Sequence, residues 1–195
     1  AVPGPAREHP YAAAGDLGDA RQVMHNDFVI VGPRADPAEV RRADTAAGAM
    51  RAIAGHAAFV SRGDDSGTHS QELALWAAAG IDPRSLDRRE ETGQGMGATL
   101  NVADQKNAYT LSDRGTYLSQ RQRLDLAILF EGDAALRNIY HVYAVNPARH
   151  RAARYREARA LIDFLVSPPV QEEIAAFKRD EYGQSLFVPD ALRGH

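Results

Sequence analysis

The chain has no cysteine among its 195 residues, which excludes disulfides, thiolate metal sites and cysteine nucleophiles. That absence leaves the compartment open, because a chain without thiols suits an oxidising space and the cytosol alike. Lysine is almost missing too. Of 23 basic residues only Lys106 and Lys178 are lysine, a bias that, beside abundant alanine, fits GC-rich coding better than function. With 26 acidic residues the formal net charge is −3, so no global basic field draws in nucleic acid or an anionic membrane. No apolar run reaches the roughly 18 residues of a membrane-spanning helix. The first residues, Ala1-Val2-Pro3-Gly4-Pro5, lack the basic and apolar regions of a signal peptide; an exported protein would have lost its signal ahead of this numbering.

What is present is ordinary for a soluble globular protein: 44% apolar and 25% charged residues. The length suffices for one domain or two small lobes. Residues 1–22 are rich in Pro, Gly and Ala, with a short helix expected around Arg7 to Ala14. Asp27–Pro33 is a β-branched run stopped by Gly-Pro and predicts a strand. Between Ala38 and Ala54, apolar residues three or four apart predict one helix with a buried face. A strand over Ala57–Ser61 then leads to a helix from about Ser66 to Ala79, with Leu73, Trp76 and Ala77 as its inner stripe and Gly80 at C′.

A glycine-rich turn at 93–100 enters a helix through Ala103, followed by a strand at Asn107–Ser112, a helix at Gly115–Gln122, and strands at Leu126–Phe130 and Ile139–Val145. The tail is helical, with Tyr155, Ala158, Leu161, Ile162 and Leu165 on one face; Ser167-Pro168-Pro169 breaks it before a helix carrying Val170, Ile174 and Phe177. Strands alternating with helices argue for an α/β fold with largely parallel sheets.

The chemistry concentrates at Phe59–Trp76, a short strand, a turn of small polar residues and an amphipathic helix. Ser61, Ser66 and Thr68 offer hydroxyls, Gly63 and Gly67 permit close backbone approach, and Arg62 supplies a permanent charge with a planar fork of donors. Free amides at a helix mouth suit an anion. The same residues also fit a plain strand-to-helix turn in which Ser66 is only an N-cap. Gly93–Thr99 repeats the device, with Thr99 able to cap a helix. Ser112-Asp113-Arg114-Gly115-Thr116 follows a strand end, where open α/β sheets place ligands, but its spacing favours an Asp113–Arg114 turn with Thr116 as a cap.

Catalytic readings are thin. Ser66 and His69 lie three apart without a nucleophile elbow, and His69 reads as a surface or supporting residue. His25, His56 and His141 show no ligand spacing, so no metal site is expected. There is no phosphate loop and no dinucleotide fingerprint. The Arg149–Arg159 cluster reads as a solvated helix face.

Four ordered blocks carry a resemblance. They are Asn26-Asp27-Phe28-Val29-Ile30-Val31-Gly32-Pro33, Phe-Val-Ser-Arg-Gly-Asp-Asp-Ser-Gly-Thr-His at 59–69, Glu-Thr-Gly-Gln-Gly-Met-Gly-Ala-Thr-Leu-Asn at 91–101, and Tyr-Thr-Leu-Ser-Asp-Arg-Gly-Thr-Tyr-Leu at 109–118. In order from about Met24 to Pro189, the chain closely resembles the tungstate-binding proteins of bacterial ABC transporters (the TupA type), within the type II periplasmic binding proteins. The resemblance implies an α/β, type II periplasmic-binding-protein-like fold of two lobes with mainly parallel sheets. Residues 1–32 and 135–195 would form a partial first lobe with the crossing strands, and 33–134 the second lobe carrying the anion-binding loops.

It implies ligand contacts at Ser61, Arg62, Ser66, Gly67, Thr68 and Thr99, and an extracytoplasmic, periplasmic or extracellular protein that is not an enzyme. That protein would capture tungstate or molybdate for a membrane permease, with no cofactor, no metal beyond the oxyanion and no nucleic acid partner. Family members begin with a further part of the first lobe, whose Thr-Thr-Thr-Ser turn supplies hydroxyls from the opposite side; nothing like it occurs here. The first lobe is therefore expected to be incomplete and to expose sheet edges and apolar surface, which invites a homodimer or domain exchange. Phosphate, which keeps a proton near neutral pH and benefits from a carboxylate such as Asp64 or Asp65, is the rival ligand. A truncated, non-binding interaction module is the rival class.

Overall fold

A single strand, β1 (Leu17–Pro33), passes through both units into which the chain divides. Its residues from Asp27 belong to the unit Asp27–Arg137, and those before it to a unit made of Val2–Asn26 and Asn138–His195. In this computed structural model residues 10–191 are described. Residues 10–13 are helical; Arg7 to His9 of the expected first helix lie outside the described residues.

In the unit Asp27–Arg137, the apolar run Phe28 to Val31 of β1 is buried, its aromatic and β-branched side chains suiting a strand packed against the core. β1 pairs antiparallel with β4 (Thr110–Asp113), Phe28 opposite Asp113, and with β5 (Leu126–Phe130), Pro33 opposite Leu126. Parallel pairing joins β2 (Phe59–Ser61) to β3 (Arg89–Glu91), with a further parallel bridge from Phe59 to Tyr109. The expected parallel character therefore holds at β2 and β3 and needs correction at β1. β1 enters this unit as a long through-strand rather than by a helical crossover, so its neighbours run against it.

The core gathers Phe28, Ile30, Met50, Ile53, Phe59, Trp76, Tyr109 and Leu136. Phe59 meets Trp76 edge-on, with ring centroids 5.2 Å apart. The Tyr109 hydroxyl donates to Asp36 Oδ1 and accepts from the Ala38 amide, each at 3.0 Å, while Asp36 also accepts from the amides of Val40 and Arg41. Burial pushes the Tyr109 phenol up to about 12, and the Asp36 carboxylate adds to this against the opposing bond from Ala38.

Helix α1 spans Ala46–His56, shorter than the one helix expected over 38–54. Thr45 caps it by accepting from Gly48 N at 3.0 Å, and Asp133 accepts from Ala46 N at 2.7 Å, so the helix starts there. Val40–Arg42 is a separate 3-10 turn. Met50 and Ile53 are fully buried, each contributing about 2 kcal/mol of transfer free energy.

Helix α2 spans Gly67–Ala78 and ends in a Schellman motif: Gly80 N donates to Ala77 O and Ile81 N to Trp76 O, each at 3.0 Å. Its inner stripe is Glu72, Leu75 and Trp76, whereas Leu73 and Ala77, expected inside, are exposed. The register differs because a charged residue, Glu72, takes an inward position. Helices α3 (Met96–Gln105) and α4 (Arg114–Gln120) complete the main helices here. Arg114 donates to Asp27 from Nε at 2.7 Å and from Nη2 at 2.6 Å, and to Glu131 at 2.5 Å. These bonds raise the guanidinium's pKa, Asp27 foremost.

The second unit holds the first part of β1, β6 (Arg137–Val145) from Asn138 on, α5 (Tyr155–Leu165), α6 (Pro168–Ala176), α7 (Arg179–Tyr182) and β7 (Val188–Pro189). β6 and β7 both pair with β1, β7 antiparallel with His25 opposite Val188. Asp190 accepts from Gln22 and contacts His25 Nδ1 at 2.8 Å. Of the expected apolar tail face only Ile162 is fully buried, while Tyr155 and Leu161 are exposed; Phe164, outside that face, and Phe177 are exposed as well. Arg149 and Arg159 are ion-paired with Asp16 and Asp19.

A Gly32→Ala substitution tests the sheet. Its Cβ would lie 2.5 Å from Tyr109 Cδ1 and 2.9 Å from Leu129 Cδ1, so overpacking should cost about 1–3 kcal/mol and lower the thermal midpoint by several degrees in a calorimetric scan.

Candidate functional site

Strand β2 delivers Ser61 and Arg62 to the N-terminus of α2, and the turn between them is held by its own side chains. Gly63 has φ +59° and Asp65 φ +55°. A Cβ at Gly63 would stand 2.7 Å from Glu91 Cβ, so both conformation and space call for glycine. Ser66 is the N-cap, its Oγ accepting from His69 N at 3.3 Å. The amides of Gly67 and Thr68, in the first turn, have no intrahelical acceptor by position. Open space lies where a Gly67 Cβ would be.

His69 is buried rather than on the surface, and its Nδ1 accepts from Asp65 N at 3.1 Å. That bond assigns the ring proton to Nε2. The ring staples the turn instead of facing the Ser66 hydroxyl as a base.

Arg62 reaches into this mouth. Its Nη1 lies 3.4 Å from Thr68 Oγ1 and its Nη2 donates to Asp64 Oδ2 at 2.5 Å. Its Nε is buried with no hydrogen-bond partner. Asp64 Oδ1 also accepts from Ser66 N at 3.3 Å. Burial works to raise the Asp64 carboxyl, but the bonds from Ser66 and Arg62 hold it below its ordinary 3.8.

The second glycine loop is stitched to the first through the backbone: Thr92 N donates to Ser61 O at 3.0 Å and Gly93 N to Arg62 O at 2.8 Å. Its helix, α3, has Gly95 as N-cap with no side-chain bond. Thr99, expected as a cap, lies inside the helix and is fully buried. There its Oγ1 bonds Thr92 Oγ1 at 2.9 Å and Gly95 O at 3.2 Å, the back-bonding that a mid-helix threonine adopts.

Ser61 is likewise buried, its hydroxyl donating to Glu72 Oε2 at 2.5 Å and accepting from Arg89 Nη2 at 2.9 Å. In the third polar cluster Asp113 is the cap, accepting from Thr116 N at 2.8 Å. Of the six expected contacts, Arg62, Ser66, Gly67 and Thr68 thus meet at one helix mouth, while the hydroxyls of Ser61 and Thr99 are turned into the protein.

Sequence reasoning misses Glu72, Arg89 and Thr92. Only the Glu72–Trp76 spacing of four gives any hint of the first. Among the described residues no cluster of His, Cys, Asp or Glu is arranged to hold a metal ion, and no helix is long and apolar enough to cross a membrane.

Residues 5–169 match the PBP superfamily domain. The chain is 41% identical over 191 residues to the tungstate-binding protein TupA of Peptoclostridium acidaminophilum, covering 96% of this chain and 66% of that one. It is 32% identical over 194 residues to TupA of Campylobacter jejuni subsp. jejuni, covering 97% and 71%. The solved structure of the tungstate-binding protein TupA from Desulfovibrio alaskensis G20 superposes with a TM-score of 0.84 at 42% identity, covering 95% of this chain and 76% of that one. The chain belongs to the TupA family of periplasmic binding proteins. It spans about two thirds of the length of these curated TupA relatives.

The Arg62–Asp64 pair gives this TupA-family loop a pH signature. A folded-state pKa below 3.8 means that Asp64 stabilises the fold above pH 3.8 and loses that contribution as pH falls below it. Asp64→Asn should cost about 1 kcal/mol at pH 7, and denaturant titrations should show the gap to the parent protein closing below pH 3.8.

Proposed function

We propose that the chain is the solute-binding component of an ABC transporter, working outside the cytoplasm in the periplasm or extracellular space and capturing tungstate or molybdate for the membrane permease. The observation that carries this reading is the buried Nε of Arg62, a charged donor without an acceptor, at a helix mouth that also presents the Gly67 and Thr68 amides and the Ser66 and Thr68 hydroxyls. A buried unpaired donor is costly, and an oxyanion placed there would accept from it and from the helix amides together. Ser61 and Thr99, buried with their hydroxyls bonded inside the protein, support the loops behind this set rather than donating to the anion. Binding makes and breaks no bond, so no catalysis, cofactor or nucleic acid belongs to this reading.

The ligand's protonation state supports tungstate over phosphate. Each Asp64 oxygen already accepts a bond from the loop itself, one from Arg62 and one from Ser66 N, so a proton on the anion would have to compete with the loop's own donors for this carboxylate. A fully deprotonated dianion suits such a site better than phosphate, which keeps a proton near neutral pH. We also propose self-association of the unit carrying Val145, Tyr155, Leu161 and Phe164, whose apolar side chains are each exposed, the first three lining one surface hollow. A monomer by light scattering at high concentration would remove it.

Calorimetric titration with tungstate, molybdate, sulfate and phosphate tests the ligand. Tungstate and molybdate should bind tightest, and Arg62→Met should weaken both by about ten- to a hundredfold, the worth of a charge-assisted bond. A preference for phosphate would overturn the tungstate reading. Folded protein with no thermal shift for any of the four anions would leave only a non-binding module.

A further inference from the structure

Glu72 and Arg89 form an ion pair buried to within 3% and 7% exposure, outside the helix mouth and without contact to its donors other than through Ser61. Burying such a pair costs desolvation that its attraction barely offsets, and apolar residues of similar volume often serve stability as well. What the pair does have is reach. Glu72 lies on α2, whose N-terminus carries Ser66 to Thr68; Arg89 lies on β3, which runs directly into the loop at Thr92 and Gly93. Arg89 donates to Glu72 Oε1 from Nε at 3.1 Å and from Nη2 at 3.0 Å. Both residues bond the Ser61 hydroxyl at the end of β2. Trp76 Nε1 fixes the carboxylate from the core at 3.1 Å. The Ser61 and Arg62 carbonyls in turn hold the Thr92 and Gly93 amides.

We propose that Glu72 and Arg89 are positioning residues that fix the spacing between the two glycine loops, and thereby set the size of oxyanion the site prefers. This rests on the oxyanion-binding reading above. Sulfate, molybdate and tungstate are tetrahedral dianions of equal charge, and sulfate is the smallest. The ratio of tungstate to sulfate affinity therefore reads loop spacing at constant charge. A group that served stability alone would not move that ratio.

The experiment is calorimetric titration of tungstate and sulfate into the parent protein, Glu72→Gln, and the double variant Glu72→Met with Arg89→Met, with ligand-free thermal midpoints alongside. Glu72→Gln keeps an oxygen for Trp76 and removes the charge. The double variant replaces the pair with apolar volume but leaves the Trp76 indole and the Ser61 hydroxyl without these partners, so its midpoint should fall by several degrees while the affinity ratio is still read on folded protein. In both, tungstate affinity should fall about tenfold and the tungstate-to-sulfate ratio should narrow several-fold, the cost of a loosened supporting shell. An unchanged ratio in folded variants overturns the proposal, whether the affinities stay constant or fall together. If these variants fail to fold, Arg89→Lys, which keeps the charge but loses the fork, is read by the same ratio: narrowing supports the proposal and constancy overturns it. Parent protein that binds neither anion sinks the oxyanion reading and this inference with it, whereas parent binding with unaltered variants sinks this inference alone.

Discussion

Glu72 sits on the buried face of its helix, against Trp76 and the core, and an isolated carboxylate there would be untenable. Three kinds of donor make it tolerable: the Arg89 fork, the Trp76 indole and the Ser61 hydroxyl. Satisfying one buried charge therefore requires the end of β2, the start of β3 and the flank of α2 to be in register at once. The parallel pairing of Ser61 with Glu91 and the stitching of Thr92 and Gly93 follow from the same register. The shape of the helix mouth descends from that requirement, because the mouth is made of the residues immediately beyond each gripped element.

Much of this is legible in the sequence, and the misses share a cause. The strand at Asp27–Pro33, the helix after Ser66 and the glycine at position 80 follow local rules: β-branched residues, a capping hydroxyl, a left-handed C′. Where a distant partner decides, the pattern misleads. Apolar character points Leu73 and Ala77 inward and charge points Glu72 outward; Arg89, seventeen positions away, inverts that choice. Thr99 looks like a cap because it follows glycines. Yet Gly95 begins the helix, and the Thr99 hydroxyl turns back on Gly95 O and across to Thr92. The helix expected over 38–54 is cut at Thr45 by a local cap and by Asp133, which no sequence window includes.

The helix mouth itself is the more legible part. Arg62, Ser66, Gly67 and Thr68 stand out as residue types able to hold an oxyanion, and the turn brings them together. What composition cannot convey is how they are divided. Asp64 occupies one edge of the Arg62 guanidinium and the Ser66 amide, His69 occupies the Asp65 amide, and Nε of Arg62 remains with no acceptor.

This division bears on how such a site could discriminate. The Arg62 charge is matched by Asp64, and the Arg89 charge by Glu72 and Glu91, so the loop does not present a concentrated positive field. Attraction to a dianion would then come chiefly from aligned amide dipoles, hydroxyls and one guanidinium edge, all short-ranged and directional. Donors of this kind distinguish anions poorly by total charge but sharply by where the oxygens fall, since a misplaced oxygen leaves a buried donor unpaired. In a site balanced this way, rigidity of the loops matters more than the number of charges near them. The chain secures that rigidity with backbone stitches between the loops and a buried ion pair behind them.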